Sequence, residues 1–169
     1  TTRSKIEIVG NPARAFSRGI NMKVIECALA AHVDWHLGYP DRAVGISQES
    51  IRIARQLDHP LSLAMALVYA AMLHQFRREP SEVRDHANAA VAICTEHEFA
   101  YYRAWATVLL GWATAEHGDL EQGITGILAG VRDLRDTGAG LRLPYYLCLL
   151  AGLYHQAGRR SDAFSTISD

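Results

Sequence analysis

Two histidines, His32 and His36, are the first residues of this sequence with spacing suited to metal chemistry. A spacing of four residues places both imidazoles on one face of a helix, as two ligands of one ion would require. The segment HVDWH lacks the glutamate of an HExxH zinc motif, and no cysteine lies beside it. We therefore expect no metal here and interpret both histidines as solvated or ligand-facing side chains.

A second set of reactive side chains recurs every 40 residues, namely Asp34, His74, Thr114 and Tyr154. An acid, a base and two hydroxyls could form a catalytic group if they met. Equivalent residues on neighbouring packed helices lie about 10 Å apart, whereas proton transfer needs direct contact or one bridging water. We expect no catalytic residue and no cofactor.

Composition and cysteine usage restrict the class of protein. Hydrophobic residues make up 49% and charged residues 21%, and the net charge is −1, which favours a folded domain without a field for nucleic acid or membranes. Cys27, Cys94 and Cys148 lie far apart without a CxxC motif, which indicates a reducing compartment such as the cytoplasm. The longest apolar run, residues 61–73, is shorter than the roughly 18 residues of a membrane span.

Turn glycines give the sequence a period of 40 residues. Gly38, Gly118 and Gly158 fit this period, and Arg78 occupies the remaining position inside the turn-like segment RREPSE. A fixed period of this length indicates a helical repeat array.

Hydrophobic periodicity between the turns predicts eight helices, over about residues 20–37, 41–57, 61–77, 82–97, 100–117, 120–137, 143–157 and from 161 onward. Asp41, Ser81 and Ser161 recur at the period and are predicted to be N-caps, with Asp119 doing this in the third repeat. Residues 1–18 are predicted to be an irregular lead-in or the end of a preceding repeat, and residues 19–169 the repeat domain. Its predicted units are 20–58, 59–98, 99–139 and 140–169. Because the sequence starts at Thr1 and stops within the eighth helix, we expect a piece of a longer protein.

The repeated unit resembles the tetratricopeptide repeat. Leu110-Gly111 and Gly118 match its third copy, while Leu150-Ala151, Gly158 and Ala163 match its fourth. One position is always small, held by Ala31, Ala71, Gly111 and Ala151, as expected where two helix backbones approach closely. The repeat departs from the 34-residue standard by its length of 40. The resemblance implies an all-α fold, a right-handed superhelix (solenoid) of antiparallel helix hairpins.

The same resemblance implies that first helices line a concave groove that binds peptides or proteins. The residues it places there are His32, Trp35, His36, Met65, Met72, Gln75, Phe76, Trp105, Trp112, Tyr145 and His155. Aromatic and methionine side chains are typical of protein-binding surfaces. We expect Trp105 and Trp112 near the centre of the groove. The alternative is that these large apolar residues form the core.

Several segments, among them LGYPDRAV, RAWATVLLGWATAEHG and LPYYLCLLAGLYHQAGR, are similar to the C-terminal repeats of large bacterial signalling ATPases. Many such proteins also carry a class III adenylate/guanylate cyclase domain or a DNA-binding domain. The sequence has no GxxxxGK[ST] motif and no cyclase metal-aspartate motif. The resemblance implies a non-catalytic regulatory module whose partner is a protein, a peptide or another domain of the parent chain. A small-molecule effector sensor is the alternative, and an enzyme ranks last.

The last predicted helix carries Phe164 and Ile167. Terminal repeats of solenoids need polar outer faces to remain soluble. We therefore expect a possible homodimer through exposed terminal helices.

Overall fold

A computed structural model describes residues 19–168, which form eight α-helices and no strand. They are α1 Met22–His36, α2 Pro40–Gln56, α3 Pro60–Phe76, α4 Pro80–Glu96, α5 Ala100–Glu116, α6 Leu120–Asp136, α7 Leu143–Gln156 and α8 Arg160–Ser168. The predicted all-α solenoid is confirmed, and most predicted helix ends agree within two residues. The predicted lead-in, residues 1–18, lies outside the described residues.

The helices form two layers. The first helices of the hairpins, α1, α3, α5 and α7, contact one another in sequence order. The second helices contact only their neighbours along the chain, and within residues 19–168 no two of them meet. A layer whose members touch is the inner layer of a curved array, so α1, α3, α5 and α7 line the inside.

Helix α3 is the most apolar element, and its residues 61–73 explain the long hydrophobic run of the sequence. It lies between α1, α4 and α5, so that most of its side chains are buried. An inner helix with neighbours on several sides needs apolar residues all round. Among the described helices, none is both long enough and apolar enough to cross a bilayer.

A left-handed backbone residue ends each helix at intervals of 20 residues. Four of these positions are glycines, including Gly118 with a φ of 102°, and three are not: Asp58, Arg78 and Glu98. At Gly118 the amide donates to the Ala115 carbonyl at 2.9 Å, and the next amide donates to the Thr114 carbonyl. This paired closure satisfies helix-end carbonyls. The predicted turn at Arg78 is confirmed, and the backbone repeats at half the period of the glycines.

Helix starts differ from the predicted caps. The helices begin at Pro40 and Pro80, since proline at the first helical position has a suitable φ and lacks an amide that would be left without a partner. The predicted N-caps are therefore wrong at three positions, which lie inside first turns: Asp41, Ser81 and Ser161. Asp119 does cap α6, because its carboxylate accepts from the Gln122 amide at 3.1 Å.

The α5–α6 hairpin packs backbone against backbone. A Cβ added to Gly111 would lie 2.7 Å from the Ile127 amide nitrogen and 2.8 Å from the Gly123 carbonyl oxygen. A Cβ added to Gly130 would lie 2.8 Å from the amide nitrogen of Val108. These distances leave no space for a side chain, so the small position predicted at Gly111 is confirmed as a close approach of two helices.

Candidate binding surface

The side chains predicted to line a groove all lie on inner helices, but their exposure differs widely. Five are buried: Met65, Met72, Gln75, Trp105 and Trp112. Four are half-buried, namely His32, Trp35, Phe76 and Tyr145, and two are exposed, His36 and His155. Trp105 and Trp112 retain 1% and 2% of their accessible surface. The expectation that these indoles form an exposed groove centre is therefore wrong, and both belong to the core.

Trp105 is covered by Arg142, which lies in the turn before α7. The guanidinium carbon lies 4.1 Å from the indole centroid, a cation–π arrangement. Its Nη2 donates to the Tyr69 hydroxyl at 3.1 Å, and its Nη1 lies 3.2 Å from the sulfur of Met72. Arg142 thus reaches from α7 across α5 to α3, and the trough between the inner helices is filled at this level.

Tyr145, in the first turn of α7, makes a second link to α3. Its hydroxyl donates to Oε1 of Gln75, and its ring lies 5.8 Å from the ring of Phe76, edge to face. Burial raises the pKa of Tyr145 to about 12, so the phenol stays protonated and remains a donor near neutral pH. The link explains why Gln75, a polar residue, is buried.

His32 and His36 extend the same surface to α1. The Nε2–H of His32 donates to the Tyr69 carbonyl at 2.9 Å, and its ring lies 5.5 Å from Phe76. The ring of His36 also lies 5.5 Å from Phe76. Burial lowers the pKa of His32, which keeps this imidazole neutral.

We call the resulting surface the inner aromatic surface, formed by His32, His36, Tyr69, Phe76, Arg142 and Tyr145. Each member contacts at least one other, across α1, α3 and the start of α7. Sequence reasoning found four of the six and missed Tyr69 and Arg142. Neither of these two occupies a position that the repeat pattern assigns to a groove, so the sequence carried no signal for them.

Three buried polar atoms beside Arg142 have no hydrogen-bond partner among the described residues. They are Nε1 of Trp105, Nε of Arg142 and the hydroxyl of Tyr146. Burial raises the pKa of Tyr146 far above its usual range, so this hydroxyl also stays protonated. All three groups can donate, and buried donors are normally satisfied. An acceptor such as a carboxylate or an ordered water would match them.

Two predicted groove residues lie away from this surface. Trp35 packs against the small cluster of Ala31, Ala43 and Leu73. His155 lines an open apolar groove of about 580 Å³ between α7 and α8. Phe164 and Ile167 line the same groove and are 74% and 63% exposed.

The residues that recur as an acid, a base and hydroxyls each make local bonds. Asp34 accepts from Nε of Arg42 at 2.6 Å, and this bond lowers the pKa of Asp34. His74 bonds to Glu79, and the Thr114 hydroxyl donates to the Leu110 carbonyl at 2.9 Å. The arrangement therefore provides end-of-helix bonds within separate repeats, as expected for residues too far apart to share a proton.

Comparisons with known proteins support the fold. The chain is similar in structure to BtubC (BKLC) from P. vanneervenii, with a TM-score of 0.64 and 15% identity over 96% of this chain. It is also similar to a putative kinesin light chain with nearly identical TPR-like repeats from Podospora anserina, with a TM-score of 0.66 and 16% identity over 94% of this chain. The chain spans 64% of the BtubC chain and 74% of the Podospora chain.

No protein-family model matches this sequence, and curated protein sequences give no significant match. At identities this low the structural likeness establishes the fold alone, a helical array with TPR-like repeats.

Proposed function

We propose that this chain is a non-catalytic protein-interaction module that binds a peptide segment on its inner aromatic surface. The observation that carries the proposal is the continuity of this surface, in which half-exposed rings from three inner helices surround one arginine. Aromatic residues and arginine dominate the binding energy of protein interfaces because they bury large areas and also offer polar contacts.

The surface also indicates the chemistry of the segment. Phe76, Tyr145 and His36 offer apolar ring faces and edges. Arg142 supplies a cation beside buried donors that lack partners. A segment with an aromatic or aliphatic side chain next to a carboxylate would satisfy both features.

A peptide-display selection followed by calorimetry tests this proposal. A selected peptide should bind the unaltered chain, and Phe76→Ala or Arg142→Ala should weaken binding by about 2 kcal/mol, near thirtyfold. Asn88→Ala, on the exposed side of the outer helix α4, is the matched control and should bind normally. Peptides that bind all variants equally would place the binding surface elsewhere and refute the proposal.

We further infer that the module belongs to a larger bacterial signalling protein and couples a partner, or another domain of the parent, to an ATPase or cyclase output. Support comes from the sequence segments that resemble the repeats of such proteins. A cytoplasmic location belongs to this inference. The sequence flanking this chain in its reading frame tests it, because a GxxxxGK[ST] motif upstream is expected and its absence would contradict it.

The second candidate is a small-molecule effector sensor. It is favoured by the three unpartnered donors near Arg142, since a small carboxylate or phosphate could satisfy them without a peptide. Thermal unfolding with a panel of nucleotides and small carboxylates separates the candidates. A rise in Tm that Arg142→Ala abolishes supports the sensor, whereas no shift with any compound leaves the peptide-binding proposal in place.

Self-association through α8 is a separate proposal. Its support is the exposed pair Phe164 and Ile167 beside the apolar groove that α7 and α8 form. Sedimentation velocity should show a dimer that Phe164→Asp converts to a monomer. A chain that is monomeric at all concentrations would refute this contact.

A further inference from the structure

The α3–α4 hairpin holds a group of possible metal ligands that is separate from the inner aromatic surface. His74 lies in the last turn of α3, and Glu82 and His86 lie four residues apart on α4. One ligand-capable atom from each lies within 4.8 Å of the other two. Within residues 19–168 this is the one group of three or more such side chains at this spacing.

The orientation of His74 is fixed from behind. Its Nδ1–H donates to Oε2 of Glu79 at 2.6 Å, and the same carboxylate accepts from Nε of Arg77 at 2.9 Å. The bond from Arg77 lowers the pKa of Glu79, so Glu79 stays a carboxylate. A carboxylate that holds Nδ1–H leaves the lone pair of Nε2 available. Metal-binding histidines in proteins commonly have this kind of outer partner.

His86 lies against His74 and has a free imidazole. The ring centroids are 5.3 Å apart with an interplanar angle of 29°. No described residue forms a hydrogen bond with the ring of His86, which is half-buried. Burial, with a smaller effect from His74, lowers the pKa of His86 and favours the neutral form that can bind a metal.

We propose that His74, Glu82 and His86 bind a divalent transition-metal ion, with Zn²⁺ the best match, between α3 and α4. Two imidazoles and one carboxylate are a ligand set that zinc uses in sites with an open position. Ligand distances of about 2.0–2.2 Å place neighbouring ligand atoms about 3.3 Å apart in a tetrahedral site. Rotation of the exposed Glu82 and of His86 would close the present separation to that value.

The fourth position would hold water or a group from a partner. Because the three ligands come from both helices of one hairpin, the ion would join α3 to α4 beyond the turn at Arg78. Metal bound only to the folded state stabilises it by mass action.

The other histidine pair of the chain provides an internal control. His32 and His36 also have a four-residue spacing, but Nε2 of His32 already donates to the Tyr69 carbonyl. No third ligand joins that pair among the described residues. We therefore expect the two pairs to behave differently toward zinc.

Calorimetric titration of the chelator-treated, tag-free chain with Zn²⁺ tests the proposal. One ion per chain should bind, and Tm should rise with zinc. His86→Ala should abolish saturable binding, and so should Glu82→Gln, whose exposed side chain can change without loss of fold. His36→Ala should bind as the unaltered chain does. Glu79→Gln should keep the stoichiometry but weaken binding by about 10–100-fold, as removal of an outer partner does.

Two results would overturn the site. One is the absence of saturable zinc binding by a chain whose circular dichroism shows it to be folded. The other is binding that persists unchanged in both His86→Ala and Glu82→Gln, which would show adventitious metal elsewhere. Cobalt substitution gives a second readout, because the visible absorption of Co²⁺ held by nitrogen and oxygen ligands should vanish in His86→Ala.

Discussion

The α3–α4 and α5–α6 hairpins occupy equivalent places in successive repeats but achieve their packing by different means. The latter has glycine at four positions where the former has larger residues: Gly111, Gly123, Gly126 and Gly130 correspond at 40-residue spacing to Ala71, Val83, His86 and Ala90. Their turns differ in the opposite sense, since Gly118 corresponds to Arg78. One hairpin therefore has a tight interface and a relaxed turn, and the other has a side-chain interface and a strained turn.

This contrast separates packing from chemistry. Backbone contact in α5–α6 leaves no room for functional side chains, and the positions equivalent to the proposed zinc ligands hold Thr114, Gln122 and Gly126. The wider interface of α3–α4 accommodates two histidines and a buried bond to Glu79. A repeat array can thus vary one hairpin for stability and its neighbour for ligand binding while the 20-residue spacing of helix ends stays constant.

The largest expected effect is the loss of stability in Gly111→Ala. The new Cβ would meet backbone atoms at 2.7 and 2.8 Å, and backbone cannot rotate away as a flexible side chain can. Overpacking of this kind should lower the free energy of unfolding by about 2–3 kcal/mol in urea denaturation. Gly45→Ala, inside α2 with no atom within 4 Å of the new Cβ, is the control and should be stabilising by about 0.5–1 kcal/mol. Equal stability of the two variants would show that the hairpins do not differ in tightness.

A smaller loss is expected at the turn of the glycine-rich hairpin. Gly118 has a φ of 102°, a conformation that residues with a Cβ rarely adopt. Gly118→Ala should lower the free energy of unfolding by about 1–2 kcal/mol, although nothing lies within 4 Å of its Cβ. Gly152→Ala, in an open position within α7, separates backbone strain from the general effect of replacing glycine. A loss of the same size in both variants would contradict the role assigned to the turn.

The opposite change should stabilise the other hairpin. Arg78 has a φ of 59°, which glycine adopts more readily, and its side chain is exposed. Arg78→Gly should raise the free energy of unfolding by about 0.5–1 kcal/mol, since relief of the left-handed strain exceeds the entropic cost of glycine. Arg78→Ala keeps the strain while removing the side chain and should leave stability unchanged. If both variants gain equally, the gain comes from loss of the arginine side chain.

The helices were predictable from the sequence because hydrophobic periodicity and turn residues are local signals. The turns at Asp58, Glu98 and Gly138 were not recognised as copies, since two of them lack glycine although the backbone conformation is the same. The N-caps failed at Asp41 and Ser81 because proline at the first helical position determined where those helices begin.

The candidate sites were harder to predict because they depend on contacts across the chain. Arg142 covers Trp105 from 37 residues away, and the repeat pattern assigns no role to a residue in that turn. His74 and His86 meet only because the turn at Arg78 reverses the chain between them. Spacing on a single helix identified His32 and His36 instead, and local patterns cannot show that one of these rings is already bonded to Tyr69.

The smallest expected effect concerns how the α3–α4 hairpin is joined to α1. Burial lowers the pKa of His32 below its ordinary value of 6.5, so the folded chain binds this proton less readily than the unfolded chain does. The stability that depends on neutral His32 is therefore fully present above about pH 6.5 and is lost as pH falls below that value. His32→Gln can still donate to the Tyr69 carbonyl but does not titrate. Urea denaturation between about pH 7.5 and 5, with chelator present, should show a shallower loss of stability in this variant than in the unaltered chain. The α5–α6 hairpin has no buried histidine, so substitution of its exposed His117 by Gln should leave the slope unchanged. Parallel slopes in all three chains would mean that His32 titrates alike in both states, and its bond to Tyr69 would then not distinguish this hairpin from its neighbour.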